Sequence, residues 1–216
     1  MKICFTGGGT AGSVSPLLAL YHSIKQTQPE TDFLFIGTKQ GEPEMDMLRG
    51  YGMTFIGITC GKLRRYLDWK NISDLFLVVY GYFQALGVLR KHKPDVIMAA
   101  GGYVSVPVVW AGKTIGIPSV IHQQDIRPSL TNKLTKNVAD KVTVTFERSL
   151  QDFPSTKTIW TGNPVRPDIL QGDADRARQT FSLKKSLPVV LVVGGGTGSR
   201  SVNSMVNQAL PDLMTR

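Results

Sequence analysis

A chain of 216 residues with 42% hydrophobic and 19% charged residues has enough apolar material for one or two packed domains and is unlike a disordered polymer. Its formal charge of +9 favours anionic partners such as a phosphorylated substrate or an anionic lipid surface, while the lack of an aromatic-interleaved basic motif or zinc finger argues against nucleic acid. Two cysteines, Cys4 and Cys60, exclude a disulfide framework, and scattered histidines without a carboxylate pair leave no readable metal site, so neither metal nor cofactor is expected.

In chain order, Lys2–Thr6 reads as a strand and Pro16–Gln26 as a helix, with Pro16 at a permitted first-turn position. Asp32–Ile36 and Met53–Ile58 read as strands around a short helix from Glu42 to Gly50. Asn71–His92 reads as a long helix capped by Asn71 or Ser73. Then come strand Asp95–Ala100, helix Pro107–Ile115, strand Pro118–His122, helix Thr131–Val138, and strands Lys141–Thr145 and Lys157–Thr161. Alternating strands and helices predict an α/β, Rossmann-like parallel sheet covered on both faces. The apolar stretch Leu75–Leu89 has 15 residues, whereas a spanning helix needs about 20. Glycines at 7–9 interrupt the first apolar run too early for a signal peptide.

The pattern breaks between Asn163 and Leu187, a segment with prolines, mixed charges and a short helix around Ala174–Phe181. Pro188–Val193 then reads as a strand, followed by the turn Gly194–Ser199 and a helix from about Ser201. This repeats the opening order of strand, Gly-Gly-Gly-Thr turn and helix. The expected organisation is a domain at 1–162, a linker at 163–187 and the first βα unit of a second Rossmann-like domain at 188–216. One βα unit cannot bury its own apolar face, so a longer parent chain or a completing partner is expected.

Gly7-x-Gly9-x-x-Gly12 matches the dinucleotide fingerprint in letters. A nicotinamide site needs an acid at the end of the second strand, but Ile36-Gly37-Thr38-Lys39 carries none there, which disfavours that reading. Gly101-Gly102-Tyr103 is a second glycine turn between strand and helix, and both turns belong to the sheet edge where α/β folds bind ligands. Such loops suit diphosphates; a tight turn without a ligand is the bland alternative.

Several segments resemble glycosyltransferase family 28: Thr6–Gly12, Lys93–Ile97 with Gly101–Ser105, His122–Asp125 with Leu130–Lys133, Gly162–Arg166 and Gly194–Arg200. The matches run in the family's order over essentially the whole chain. The resemblance implies a GT-B fold of two Rossmann-like domains. It also implies an inverting, metal-independent transfer of N-acetylglucosamine from UDP-N-acetylglucosamine to an undecaprenyl-diphosphate-linked muramyl-pentapeptide in peptidoglycan synthesis. Family positions at the donor map onto Thr10, Ala11, Gly12, Asp125, Arg166 and Gly196. The acceptor diphosphate would meet Gly8, Gly9, Ser13, Gly101, Gly102 and Tyr103. Arg166 suits a phosphate chemically, with a solvated loop arginine as its alternative.

The chain departs from the family where its usual histidine is Ser13, where its His-Glu-Gln-Asn run reads His122-Gln123-Gln124-Asp125, and where its serine is Gly196. Ser13 and Asp125 are the candidate catalytic residues; a turn or capping role is the alternative for Asp125. Arg64, Arg65, Trp69, Leu75, Phe76 and Val79 form a basic, aromatic and apolar group suited to an anionic membrane surface, or else belong to a core-packed helix and its loop. A peripheral enzyme on the cytoplasmic face of the bacterial inner membrane is the expectation. A non-catalytic subunit that binds the acceptor, anchors to the membrane and needs a donor-binding partner is the alternative.

Overall fold

The computed structural model describes residues 1–62, 70–195 and 198–214, without the side chains of 70–72. Contacts divide the chain into two compact units, Met1–Leu170 and Gln171–Arg216.

The first unit holds β1 (Lys2–Thr6), α1 (Ser15–Thr27), β2 (Asp32–Thr38), α2 (Glu44–Leu48), β3 (Thr54–Ile58), α3 (Lys70–His92), β4 (Val96–Ala99), α4 (Ser105–Thr114), β5 (Ser119–Gln123), α5 (Leu130–Thr135), β6 (Lys141–Val144), β7 (Thr158–Trp160) and α6 (Pro167–Leu170). All seven strands are parallel, in the order β3-β2-β1-β4-β5-β6-β7. The chain grows outward from β1 to β3, returns to place β4 beside β1, then grows the other way. The reversal between β1 and β4 creates a crevice at the carboxyl ends of those strands.

One core lies between the sheet and α3 and α4, where Ile97, Ile121, Val142 and Val144 meet Leu89, Val108 and Val109. A second lies under α1 and α2, where Phe5, Phe33 and Phe35 meet Leu17, Leu18 and Leu48. Each fully buried aliphatic or aromatic side chain contributes about 1.5–3 kcal/mol by leaving water. The α1 cover centres on β1 and β2; further along that face Met98, Val120 and Thr143 border an open groove.

Every strand expected in the first unit forms, and three helices shift, the one expected at Thr131–Val138 running from Leu130 to Thr135. The helix after the second glycine turn starts at Ser105 rather than Pro107, which places Pro107 in its first turn, where an amide donor has no helical partner to lose. The helix around residue 44 is shorter than expected because Pro43 caps it. Helical turns at Glu147–Asp152 and Pro167–Leu170 are additions, each too short to carry a 3.6-residue pattern.

The second unit contains α7 (Ala174–Thr180), capped by the Asp173 carboxylate, which accepts from the amides of Asp175 and Arg176, and α8 (Arg200–Met214). The strand expected at 188–193 does not form: those residues take no ladder, and Val190, Leu191 and Val193 are exposed. A strand exists through its hydrogen-bonded neighbour, and no other segment among the described residues of this unit is extended into one.

Candidate functional site

A cleft of about 290 Å³ opens at the β1–β4 reversal, lined by both glycine loops and by the segment after β5. From the first loop come Thr10, Gly12 and Ser13, and from the second Ala100, Gly101 and Gly102. His122, Gln123, Gln124 and Asp125 close one side, with Ser129 and Asn132 behind them.

The loops are knitted together from both sides. The Ser105 hydroxyl is within hydrogen-bond distance of the carbonyls of Thr6 and Gly101, at 3.2 and 2.7 Å. Thr131 Oγ1 donates to the Gly102 carbonyl at 3.2 Å, and Gln124 Nε2 to the Ala100 carbonyl at 2.8 Å. Gly102 has φ +81°, and a β-carbon there would stand 2.6 Å from the Gly8 nitrogen, so only glycine lets the loops touch.

Neither α1 nor α4 has a side-chain cap at its N-terminus. Backbone carbonyls take their place: the Ser105 and Val106 amides donate to Gly102 and Tyr103, and the Leu18 amide donates to Val14. Pro16 and Pro107 have no amide hydrogen, so backbone donors for an anion must come mainly from the glycine loops ahead of the helices. No lysine or arginine lines the cleft among the described residues. An anion there would rest on backbone donors and dipoles.

A buried amide scaffold shapes the far wall. Gln123 Nε2 donates to the carbonyls of Asp125 and Arg127 at 2.8 and 2.9 Å, and its Oε1 accepts from the Ser129 amide and Asn132 Nδ2. Asn132 also donates to the His122 carbonyl at 3.0 Å. The loop from 124 to 129 is therefore held from inside, leaving Asp125 exposed on the rim. His122 is buried; its Nδ1 meets Thr143 Oγ1 at 2.8 Å and its Nε2 meets Asn163 Oδ1 at 3.2 Å. Burial lowers the His122 pKa, partly opposed by the Asn163 hydrogen bond.

The structure brings Thr10, Gly12, Ser13, Gly101, Gly102 and Asp125 together in one cleft. The Ser13 hydroxyl donates to the Thr10 carbonyl at 3.0 Å, leaving its lone pairs for an incoming donor. Ala11 sits in the short helical turn Ala11–Ser13. Gly8 and Gly9 lie behind the cleft: Gly8 abuts the Glu44 carboxylate and Gly9 abuts the Tyr103 ring. Tyr103 lines a separate small pocket with Val106 and Leu134. Arg166 faces Asp168, Nε to Oδ1 3.9 Å, and does not line the cleft. Gly196, Arg64, Arg65 and Trp69 lie outside the described residues.

Sequence reading missed Glu44, Gln123 and Asn132. Glu44 lies six residues beyond β2, past the strand end where an acid was sought. The amides could have been suspected from their place in the His122–Lys133 segment, but nothing in the letters says that they turn inward.

The model of the glycosyltransferase family 28 N-terminal domain matches residues 3–144. The chain belongs to glycosyltransferase family 28. It is 41% identical over 215 residues to a Bacillus anthracis UDP-N-acetylglucosamine–N-acetylmuramyl-(pentapeptide) pyrophosphoryl-undecaprenol N-acetylglucosamine transferase 2, covering 100% of this chain and 60% of that one. A transferase of the same description from Lachnospira eligens is 41% identical over 213 residues, with 99% and 59% covered. Among solved structures, Acinetobacter baumannii MurG superposes with a TM-score of 0.62 at 25% identity, over 81% of this chain and 47% of that one. The chain thus spans about 60% of the length of the curated family 28 relatives it matches. The family match covers both glycine loops and ends at Val144, the last residue of β6.

On α3, an apolar face is exposed beside this domain's core. Phe76 is 72% and Phe83 62% accessible, and Leu75, Val79 and Tyr80 are exposed with them. Leu75, Val78, Val79, Tyr82, Phe83 and Trp110 line a shallow, wholly apolar depression there. No helix among the described residues is long and apolar enough to cross a membrane.

Proposed function

We propose that this chain supplies the acceptor-binding half of a family 28 N-acetylglucosaminyltransferase. The carrying observation is the cleft of about 290 Å³ at the strand reversal, where two glycine loops meet. That arrangement suits the diphosphate of an undecaprenyl-linked muramyl-pentapeptide, the acceptor named in the 41% identical relatives. UDP-N-acetylglucosamine, named in the same relatives, is the donor. The residues from 188 to 216 open the domain that holds it, with 163–187 as the linker.

In the reaction, a hydroxyl of the muramyl sugar attacks the anomeric carbon of the donor. A new C–O bond forms, the bond to the UDP β-phosphate breaks with its electron pair leaving on UDP, and configuration inverts. Asp125, exposed on the rim of the cleft that Ser13 also lines, takes the hydroxyl proton. Thr10, Ala11 and Gly12, followed by Arg166 and Gly196, steady the donor. Backbone donors of the loops offset phosphate charge without a metal. The exposed α3 face, together with the basic and aromatic residues Arg64, Arg65 and Trp69 that precede it in the sequence, seats the protein on the anionic cytoplasmic leaflet where a lipid-linked acceptor resides.

The test is titration of the chain with a short-chain lipid-diphosphate muramyl acceptor, followed by addition of UDP-N-acetylglucosamine and product analysis. Micromolar acceptor binding that is lost in Gly101→Val supports the reading; no binding ends it. Binding without turnover is the expected result for this chain alone, which carries only the opening of the donor domain; turnover restored by a separate donor-binding protein moves the assignment to an acceptor-binding subunit.

A further inference from the structure

The Glu44 side chain is fully buried, although it belongs to a short helix beyond the second strand. Its Oε1 accepts from the Gly9 amide at 2.9 Å, from Thr38 Oγ1 at 2.9 Å and from the Thr38 amide at 3.3 Å. Its Oε2 is buried without a hydrogen-bond partner. Gly8 packs so closely on the carboxylate that any β-carbon there would overlap Oε1. Gly9 has φ +80°, and on its other side the Tyr103 ring fills the space.

These contacts give the first glycine loop two distinct sides. On the Glu44 side, the Gly9 donor is already taken by the buried Glu44 carboxyl. A phosphate cannot use that donor without breaking this internal hydrogen bond. On the other side, Thr10, Gly12 and Ser13 face the cleft together with Gly101 and Gly102. We propose that Glu44 is a positioning residue: its carboxylate fixes the Gly9 peptide before any ligand arrives and confines a bound diphosphate to the side formed by Ser13 and the second loop. The loop is set in its binding shape by a contact within the protein, so the ligand does not have to order it. This rests on the diphosphate reading above and adds which loop face the ligand uses and which residue keeps it so.

The test compares Glu44→Gln, which keeps an Oε1 acceptor for Gly9, with Glu44→Met, which keeps the length and loses the acceptor. Two measurements are made on the 216-residue chain. The first is hydrogen exchange of the Gly9 amide by NMR, without ligand. The second is calorimetric binding of geranyl diphosphate, with inorganic pyrophosphate as the tail-free control. A charge-assisted hydrogen bond accounts for roughly tenfold to a hundredfold in such equilibria. Gly9 exchange is expected to rise at least about tenfold in Glu44→Met, with geranyl diphosphate binding weakened by a similar factor, while Glu44→Gln stays within about threefold of the parent in both. Conservative rescue separates positioning from mere packing. Should Glu44→Met not fold, Gly8→Ala takes its place, because its new methyl pushes the carboxylate off Gly9 while leaving Glu44 in the chain. Unchanged Gly9 exchange in the acceptor-less variant overturns the proposal. If the parent chain binds no diphosphate while Gly9 responds as expected, the functional reading fails and the loop-setting role of Glu44 stands.

Discussion

Gly8 and Gly102 are in van der Waals contact through their backbones, so the loop after β1 and the loop after β4 form one surface. Gly102→Ala brings a positive-φ cost of roughly 1–2 kcal/mol together with a clash against peptide atoms rather than a yielding side chain. A total loss of about 3 kcal/mol is expected, which for a unit of this size is a fall of roughly 6–12 °C in Tm by calorimetry. A variant melting within about 2 °C of the parent would mean that the loops can part at little cost.

Gln123 organises the wall opposite those loops through four hydrogen bonds. Gln123→Leu keeps the volume but leaves two carbonyls, an amide and the Asn132 side chain short of a partner inside the protein. The expected destabilisation is about 2–3 kcal/mol by urea titration, accompanied by faster proteolysis within 124–129.

His122 makes stability pH-dependent in a defined direction. Its pKa in the fold is lowered from 6.5, so below that value the unfolded chain takes up a proton that the folded chain resists. Stability contributed by the neutral ring is therefore complete above about pH 6.5 and declines as the pH falls below it. The drop in Tm between pH 7 and pH 5 should be smaller in His122→Gln than in the parent; equal slopes in the two proteins would contradict this.

Neither cysteine should behave as a nucleophile. Burial and then the nearby Asp74 charge push the Cys60 thiol up to about 12, and burial alone raises Cys4 further. Since the thiolate is the reactive form, iodoacetamide at pH 7.5 should modify the folded chain more than about a hundredfold more slowly than the urea-unfolded chain. Rapid labelling of Cys60 in the folded protein would show that the segment around it opens.

The apolar α3 face should govern attachment to lipid. Phe76→Asp with Phe83→Asp removes two exposed rings, each able to contribute about 1.5–3 kcal/mol on burial. Sedimentation with vesicles of phosphatidylglycerol and phosphatidylethanolamine should show at least a tenfold loss for the double variant, with unaltered circular dichroism. Equal sedimentation of parent and variant would assign that face to something other than lipid.

The sheet was legible because a buried parallel strand writes itself as a short apolar run, as in Val96–Ala100, and its helices as longer patterned segments. Glycine turns at 7–12 and 101–102 pointed to the candidate cleft because close approach of two backbones leaves little chemical choice. What the letters did not carry was direction. Gln123 and Asn132 are polar, yet they face inward and hold a loop, while their neighbour Asp125 faces out. Gly8 and Gly9 read like phosphate-cradling residues, yet they turn toward Glu44 and Tyr103 because of contacts 35 and 94 residues away in the chain. The stretch 188–193 has the composition of a strand, but pairing depends on a neighbour that composition does not specify.

The cleft has no basic side chain among the residues that line it, in a chain whose formal charge is +9. Charge and capture are thus located in different places. Salt screens long-range attraction between an exposed cationic surface and anionic lipid, with a Debye length shrinking to about 3 Å at 1 M. Short hydrogen bonds from loop amides to a diphosphate are screened far less. Raising the ionic strength should therefore weaken attachment to vesicles by its charge-dependent part while leaving a short-chain diphosphate bound, which makes the address of the protein and its grip on the ligand two separately adjustable properties.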